Sequence, residues 1–142
     1  MNEAPFGCGL EAVLELVSGK WKLLILFHLS GKRLRFSELR RLVGGVSEKM
    51  LSQQLKEMTR DGLVRRIDFQ TVPPHVEYEL EEFGNDLGRA IRPVCQWGTR
   101  NMDRIAGVAA AREEPAEAPA RRGNRTVHLS RESSGARTRS RG

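Results

Sequence analysis

The stretch SEKMLSQQLKEM, residues 47–58, has the pattern of an amphipathic helix, and the rest of the chain can be interpreted from it. Ser47 is a candidate N-cap, and Glu48 follows in the first turn, where the helix dipole favours a negative charge. An apolar stripe recurs at helical period on one face: Leu51, Leu55 and Met58. Gly62 lies just beyond the stripe, where a left-handed residue ends many helices.

The opposite face of this predicted helix is basic and polar and has no acidic residue. Its long side chains are Lys49, Gln53, Lys56 and Arg60. A helix of this kind can lie in the major groove of DNA, where Lys and Gln side chains contact base edges. The pattern alone also fits an ordinary solvent-exposed helix, so the neighbouring elements have to decide between the two interpretations.

The length of 142 residues allows one domain with an appendage. The net charge of +6 is unevenly placed, since residues 1–105 hold 16 basic and 14 acidic side chains and residues 106–142 hold 8 and 4. Apolar periodicity is lost after residue 105, and Ala, Arg, Glu, Gly, Pro and Ser dominate. We therefore predict a folded domain at 1–105 and a disordered tail at 106–142, which is either a solvated extension or attracts phosphates through its arginines.

Several classes of function are not supported by the sequence. No apolar run has the length of a membrane span and no signal-peptide pattern is present, so we expect a cytoplasmic, nucleoid-associated protein without membrane contact. Cys8 and Cys95 have no metal-ligand spacing. The three histidines fall in a predicted core helix, a hairpin and the tail: His28, His75 and His128. No catalytic triad or Gly-rich phosphate loop is indicated, so we expect neither an enzyme nor a cofactor.

The elements before residue 47 predict a helix-turn-helix. A first helix spans residues 9–17, and the Leu-rich segment KWKLLILFHL at 20–29 favours a buried helix over a strand. A very short strand is possible at 34–36, and Ser37 is predicted to cap a brief helix at 38–43. Gly44 and Gly45 form the turn into the next helix. Two helices joined in this way fit a helix-turn-helix, although an ordinary helical hairpin has the same spacing.

A β-hairpin follows, because the period changes to two after Gly62. Residues 63–69 and 75–81 are predicted strands, and the second alternates apolar residues with glutamates that should face solvent. The connecting loop contains two prolines, which stiffen it. A hairpin directly after such a helix is the wing of a winged helix-turn-helix, which usually contacts phosphates or the minor groove. The candidate contacts in the wing are Arg65, Arg66 and His75.

The last helical pattern covers residues 82–105. Its apolar seam is Leu87, Ile91, Val94, Trp97, Met102 and Ile105. Pro93 lies inside the pattern and is predicted to kink or divide the helix. A small winged domain has little core left to cover this seam, so we expect it to pack against a second copy. A symmetric dimer would also match a palindromic operator.

Over residues 8 to about 105 the chain resembles the HxlR-type winged-helix transcriptional regulators of bacteria, which are MarR-like. The likeness rests on Cys8 and on SGKW at 18–21, LLIL at 23–26, RFSEL at 35–39, VSEKMLSQQLKEM at 46–58, DGLV at 61–64 and VPPHVEY at 72–78. The resemblance implies a mainly α fold with a small β-hairpin (α+β), dimerised through its first and last helices and bound to an operator. The family's groove positions correspond here to Ser47, Lys49, Ser52 and Gln53, and its wing positions to Pro74 and His75.

The resemblance also has departures and open points. His75 stands where Arg is frequent, and Glu81 stands where Thr or Ser normally caps the last helix. Some family members sense electrophiles or oxidants through a cysteine at the position of Cys8, and Cys95 could be its partner within the chain or across a dimer. Alternatively, both cysteines are ordinary packing residues. A different hypothesis is a winged-helix protein-interaction module without specific DNA binding, which predicts an apolar or acidic face on the 47–58 helix.

Overall fold

The computed structural model describes residues 4–114. Its elements are α1 (Gly9–Leu16), α2 (Lys20–Leu29), β1 (Leu34–Arg35), α3 (Phe36–Val43), α4 (Glu48–Arg60), β2 (Val64–Asp68), β3 (Val76–Leu80), α5 (Glu82–Arg100) and α6 (Met102–Glu113). The fold is mainly helical with one small antiparallel sheet, which confirms the predicted winged helix-turn-helix. Within the described range, the helices are too short or too polar for any of them to cross a membrane.

Both ends of α4 are held by the predicted residues. The Met50 N–H donates to Ser47 Oγ at 3.1 Å, so Ser47 is the N-cap. At the other end Gly62 has φ +76°, a conformation that costs glycine little. The Gly62 N–H then donates to the Thr59 carbonyl at 3.2 Å, and the Leu63 N–H donates to the Met58 carbonyl at 2.9 Å. These two bonds form a Schellman motif, which satisfies carbonyls that the end of the helix would leave unpaired.

The core of the domain fixes the orientation of α4. The apolar stripe of α4 belongs to one buried cluster with residues of α2, α3 and the start of β2. The residues that are at most 1% exposed are Ile25, Leu26, Leu29, Leu39, Leu51, Leu55, Met58, Leu63 and Val64. Full burial of each such side chain contributes about 1.5–3 kcal/mol. The segment 20–29 is a buried helix as predicted, and the alternative of a strand is wrong. With its stripe buried here, α4 presents its polar face to solvent.

The sheet has three strands in the order β1-β3-β2, so β3 is central. The sequence allowed a short strand at 34–36 but did not predict its partner. Leu34 pairs with Tyr78 in the middle of β3, 44 positions away in the sequence. The prediction that the glutamates of β3 face solvent is wrong. The Glu77 and Glu79 side chains are only 21% and 18% exposed, because basic side chains from the neighbouring strands and loops lie against them.

Helix α3 begins earlier than predicted. It starts at Phe36 rather than at residue 38, and its N-cap is Arg35 rather than Ser37. Arg35 is the last residue of β1 and has the extended conformation of an N-cap, so the chain passes directly from strand to helix. The Arg35 N–H donates to Glu38 Oε2 at 3.4 Å, which satisfies one of the free amide groups at the helix start.

Of the two predicted effects of Pro93, division of the last helix is wrong, because α5 continues through Pro93. It ends instead at Asn101, whose backbone N–H and side-chain amide both donate to the Trp97 carbonyl, at 3.1 and 2.8 Å. An asparagine that binds its own helix in this way competes with the next turn and ends the helix locally. Proline removes only one backbone donor, and here it did not break the helix.

Helix α6 extends to Glu113, past the domain boundary predicted at residue 105. The expectation that structure ends at 105 is therefore wrong for residues 106–113. The alanines of this segment lack an apolar period, yet alanine has the highest helix propensity. Except for Met102, α6 belongs to a second compact unit that begins at Asp103. The rest of the predicted tail, from residue 115, lies outside the described residues.

Candidate nucleic-acid interface

The polar face of α4 is exposed along its whole length. Its side chains recur at spacings of three and four residues, so they lie on one face, and all four are exposed: Lys49, Gln53, Lys56 and Arg60. This face lies opposite the buried stripe of Leu51, Leu55 and Met58. It therefore presents three positive charges and one amide to solvent, without a carboxylate among them.

A carboxylate does lie on the flank of this face, and it is paired. Glu57 Oε2 is 2.8 Å from Lys22 Nζ of α2, and Glu57 Oε1 accepts a hydrogen bond from Gln53 Nε2 at 3.5 Å. Lys22 is buried at 7% exposure. The hydrogen bond and the charge of Lys22 hold the pKa of Glu57 below its usual value. Lys22 was not predicted as a functional residue, although a lysine within the apolar segment at 20–29 was a visible signal.

A cleft of about 310 Å³ lies between α4 and the hairpin. Ser52 and Lys56 line it from α4, and Arg66 and Tyr78 line it from the sheet. Arg66 and Tyr78 face each other in the register of β2 and β3, which places them on the same side of the sheet. The structure therefore brings together three of the predicted contact residues, Ser52, Lys56 and Arg66. Arg66 also lies 3.7 Å from the Asp68 carboxylate.

Arg65 lies on the other side of the sheet, since successive residues of a strand point to opposite faces. It forms an ion pair with Glu79 Oε1, and Arg33 Nε binds the second oxygen, Oε2, at 2.9 Å. The Glu79 carboxylate thus pairs with two arginines. Arg65 comes from β2, and Arg33 comes from the segment before β1. The structure separates Arg65 from the cleft that contains Arg66.

His75 lies at the loop end of the hairpin, just before β3, beside Arg35, which was not predicted as a contact residue. Arg35 Nη2 is 2.9 Å from His75 Nδ1, and Arg35 Nε is 3.2 Å from His75 Nε2. The His75 ring also contacts the Phe69 ring, at 4.5 Å between centroids, and its Nε2 is 3.3 Å from Glu77 Oε1. Arg35 therefore supplies a permanent positive charge next to His75. Pro74, the other predicted wing position, is exposed in the loop.

Two more arginines flank the start of α4. Arg40 and Arg41 of α3 line an open cleft of about 800 Å³ together with Ser47 and Glu48. Arg40 Nε donates to the Val46 carbonyl at 3.4 Å, and its Nη1 lies 4.0 Å from Glu48 Oε2. Helix N-termini favour anions, and nearby arginines strengthen that preference. The sequence offered a signal for this pair, because both residues lie away from the apolar stripe of α3.

The two cysteines are free in the structure. Cys8 is exposed and is the N-cap residue of α1, although its side chain makes no cap hydrogen bond. Cys95 is partly buried in α5. Cys8 is therefore the more accessible of the two thiols.

A basic and amide-bearing helix, carried by a helix-turn-helix and followed by a β-hairpin, defines the class of winged-helix DNA-binding proteins. Within that class the chain belongs to the HxlR-like helix-turn-helix family, whose model matches residues 16–106. It is 43% identical over 107 residues to the uncharacterized HTH-type transcriptional regulator YtcD of Bacillus subtilis, with 75% of this chain and 85% of YtcD covered.

Solved structures agree with the family. A transcriptional regulator assigned to the MarR family, from Porphyromonas gingivalis W83, matches with a TM-score of 0.65 and 33% identity, covering 71% of this chain and 99% of that one. The redox regulator HypR in its reduced form matches with a TM-score of 0.65 and 36% identity, covering 70% of this chain and 99% of HypR. The chain is thus a DNA-binding transcriptional regulator of the HxlR type with a MarR-like fold.

Proposed function

We propose that this regulator binds a palindromic operator as a homodimer, with α4 in the major groove and the hairpin of β2 and β3 against the adjacent phosphates. The exposed face of α4 carries the proposal, because Lys49 and Gln53 lie on it without a carboxylate between them. Lysine suits the acceptors of guanine and glutamine suits the edge of adenine. Ser47 and Ser52 are further candidates for base contacts. Lys56 and Arg66, which line one cleft between α4 and the hairpin, are the candidates for phosphate contacts.

Exposed apolar side chains support the homodimer. Leu10 and Leu14 of α1 are 67% and 58% exposed, and Val94 and Trp97 of α5 are 62% and 54% exposed. Large apolar groups clustered on helices mark interaction surfaces more often than free surface. A two-fold interface between copies would cover them and would repeat α4 about 34 Å away, the spacing of palindromic half-sites.

The operator proposal is tested by fluorescence anisotropy, which measures the affinity for two DNA duplexes. One is a duplex that footprinting identifies upstream of the protein's own gene, and the other is a duplex of random sequence. We expect Lys49→Ala and Gln53→Ala to lower the preference for the operator by about 1–3 kcal/mol each. Gln54→Ala is the matched control, since Gln54 is half-buried beside Met50 and does not lie on the exposed face. Equal affinity of the wild type for both duplexes would overturn the proposal and favour a protein-interaction module.

The dimer is tested by sedimentation of the full chain. Leu14→Glu places a charge among the exposed apolar side chains, and we expect it to shift the protein towards the monomer because burial of an unpaired carboxylate is costly. Val72→Glu is the control, because Val72 is fully exposed in the hairpin loop, away from α1 and α5. A wild type that sediments as a monomer at all concentrations would contradict the dimer.

We also propose that Cys8 makes operator binding sensitive to oxidants. Its exposure at the start of α1 supports this, as does the similarity to HypR, which is a redox regulator. Diamide removes one hydrogen from each of two thiols and is reduced to the hydrazine, so it joins Cys8 to a second thiol, for which Cys95 is the candidate. Diamide should change operator affinity in the wild type and leave Cys8→Ser unaffected. If diamide leaves the operator affinity of the wild type unchanged, as expected for Cys8→Ser, this role of Cys8 is excluded.

A further inference from the structure

The side-chain amide of Gln53 is held in one orientation by a residue of its own helix. Gln53 Nε2 donates a hydrogen bond to Glu57 Oε1, four residues further along α4, at 3.5 Å. The bond is long, but chemistry fixes its direction, because an ionised carboxylate accepts hydrogen bonds and cannot donate them. The amide nitrogen of Gln53 therefore faces Glu57, and its carbonyl oxygen is turned away from it.

Glu57 is held in turn by Lys22 of α2. Lys22 Nζ is 2.8 Å from Glu57 Oε2, and the two side chains are only 9% and 29% exposed. The hydrogen bond and the charge of Lys22 lower the pKa of Glu57, so the carboxylate is ionised at neutral pH. The two oxygens of Glu57 thus have different partners. Oε2 binds the buried ammonium and Oε1 accepts the Gln53 amide.

The groups that Gln53 has left match one purine better than the other. Glu57 occupies one of the two amide hydrogens, which leaves one N–H and the carbonyl oxygen on an exposed side chain. In the major groove adenine presents one acceptor, N7, and one donor, the N6 amino group. Guanine presents two acceptors, N7 and O6. An amide that shows one donor and one acceptor side by side therefore complements adenine, whereas guanine would require the amide to turn over.

We propose that Glu57, held by Lys22, is a positioning residue that makes Gln53 select adenine against guanine at one position of each half-site. This inference rests on the proposed binding of α4 in the major groove. Glu57 does not contact the base itself and acts through Gln53. Without Glu57 the amide turns freely and can offer its NH₂ group to guanine, so the preference falls.

The test compares operator duplexes that differ by one symmetric change from A·T to G·C, with fluorescence anisotropy as the measurement. The position that Gln53 reads is the one at which Gln53→Ala abolishes the preference. There the wild type should prefer A·T by about tenfold. Because the readout is a ratio of two affinities, a general change in attraction to phosphates cancels out.

Two substitutions of Glu57 separate positioning from packing. Glu57→Ala should lower the A·T preference about three- to tenfold, as the loss of one hydrogen bond does. Glu57→Gln is closer in size, yet it should lower the preference further. Its amide gives the oxygen to Lys22 and the NH₂ group to Gln53, which turns the Gln53 carbonyl inward. A packing role predicts the opposite order of the two variants. Asp61→Asn makes the same chemical change beside Arg60 and should leave the ratio unchanged.

The outcomes distinguish this inference from the operator proposal. In the Gln53→Ala background, Glu57→Gln should no longer change the ratio, because the two residues act as one unit. If Gln53→Ala abolishes the preference and both Glu57 variants keep it, the positioning role is overturned and the operator proposal stands. A wild type that binds all duplexes equally would overturn both.

Nuclear magnetic resonance of the full chain without DNA gives a second measurement that needs no variant. The side-chain amide signals of Gln53 should shift as the pH falls, with a midpoint below the ordinary carboxyl pKa of 4.5, because protonation of Glu57 removes the charged acceptor. Gln54 is the control on the same helix, since its amide lies 3.6 Å from Met50 Sδ rather than beside a carboxylate. If Gln53 does not shift, or if both amides shift in parallel, the proposal is overturned.

Discussion

Lys22 Nζ of α2 lies 2.8 Å from Glu57 Oε2 on the flank of α4, and this pair joins the buried helix to the helix that we propose contacts the operator. The lysine is buried, and the second carboxylate oxygen accepts the Gln53 amide. A cation inside the protein therefore pairs with a carboxylate on the flank of the DNA-contacting face. Without it, a negative charge would lie close to the phosphates.

Lys22→Met should weaken binding to operator and random duplex alike, because the Glu57 carboxylate would then repel phosphates. The double variant Lys22→Met/Glu57→Gln should regain most of the lost affinity, since it removes the repelling charge as well. Lys20→Met is the control for the loss of a lysine from α2. Anisotropy at one fixed salt concentration measures all of these. If the double variant binds as weakly as Lys22→Met, the effect comes from altered packing rather than from charge.

The same pair predicts how stability depends on pH. Lys22 lowers the pKa of Glu57 below its ordinary value of 4.5, so the folded protein binds this proton less readily than the unfolded chain. The contribution of the pair is therefore present above about pH 4.5 and is lost as the pH falls through the lower pKa of the folded state. Urea unfolding as a function of pH should show a smaller loss in Lys22→Met than in the wild type. If the free energy of unfolding falls with pH equally in the wild type and in Lys22→Met, the pair does not have this role.

The two adjacent arginines of β2 should differ in their effect on DNA binding. Arg66 lies in the cleft beside α4, whereas Arg65 is paired with Glu79 on the opposite face of the sheet. Arg66→Ala should weaken binding to all duplexes and reduce the slope of log K against log salt by about 1, as expected for one phosphate contact. Arg65→Ala should change this slope much less. A larger slope change for Arg65→Ala would reverse our assignment of the two faces.

Gly84 should not tolerate a side chain. A Cβ at this position would lie 2.2 Å from the Leu63 carbonyl oxygen, which belongs to the backbone and accepts a hydrogen bond from the Glu81 N–H. Gly84→Ala should therefore reduce the free energy of unfolding by about 3 kcal/mol, as overpacking against backbone does. Gly98→Ala on the same helix meets open space and should increase it by about 0.5–1 kcal/mol. Chemical denaturation of both variants tests the difference.

The start of α5 can be improved at Glu81. This residue occupies the N-cap position without a side-chain cap hydrogen bond. Glu81→Ser and Glu81→Ala both remove the charge, but only serine can accept a hydrogen bond from the first amides of the helix. The serine variant should therefore be more stable than the alanine variant by about 1 kcal/mol. Equal thermal unfolding of the two variants would mean that the backbone at Glu81 does not permit the cap.

Local patterns were predicted well because their bonds are local. The Ser47 cap and the Gly62 turn involve hydrogen bonds between residues at most five positions apart, so the printed order of residues contains both partners. The same reasoning failed for α6, where apolar periodicity is weak and alanine propensity alone favours the helix. It also misplaced the helix break at Pro93, because the hydrogen bonds of Asn101 ended the helix later.

The sequence by itself determined helices α1 to α5, the hairpin and the basic face of α4, since side-chain period and capping residues encode each element separately. Only the tertiary structure decided which distant residues meet: β1 beside β3, Lys22 beside Glu57, and Arg33 and Arg65 on Glu79. The strand pairing and the three ion pairs join residues that lie between 14 and 46 positions apart. No local period records such a pairing, because it depends on how whole elements pack.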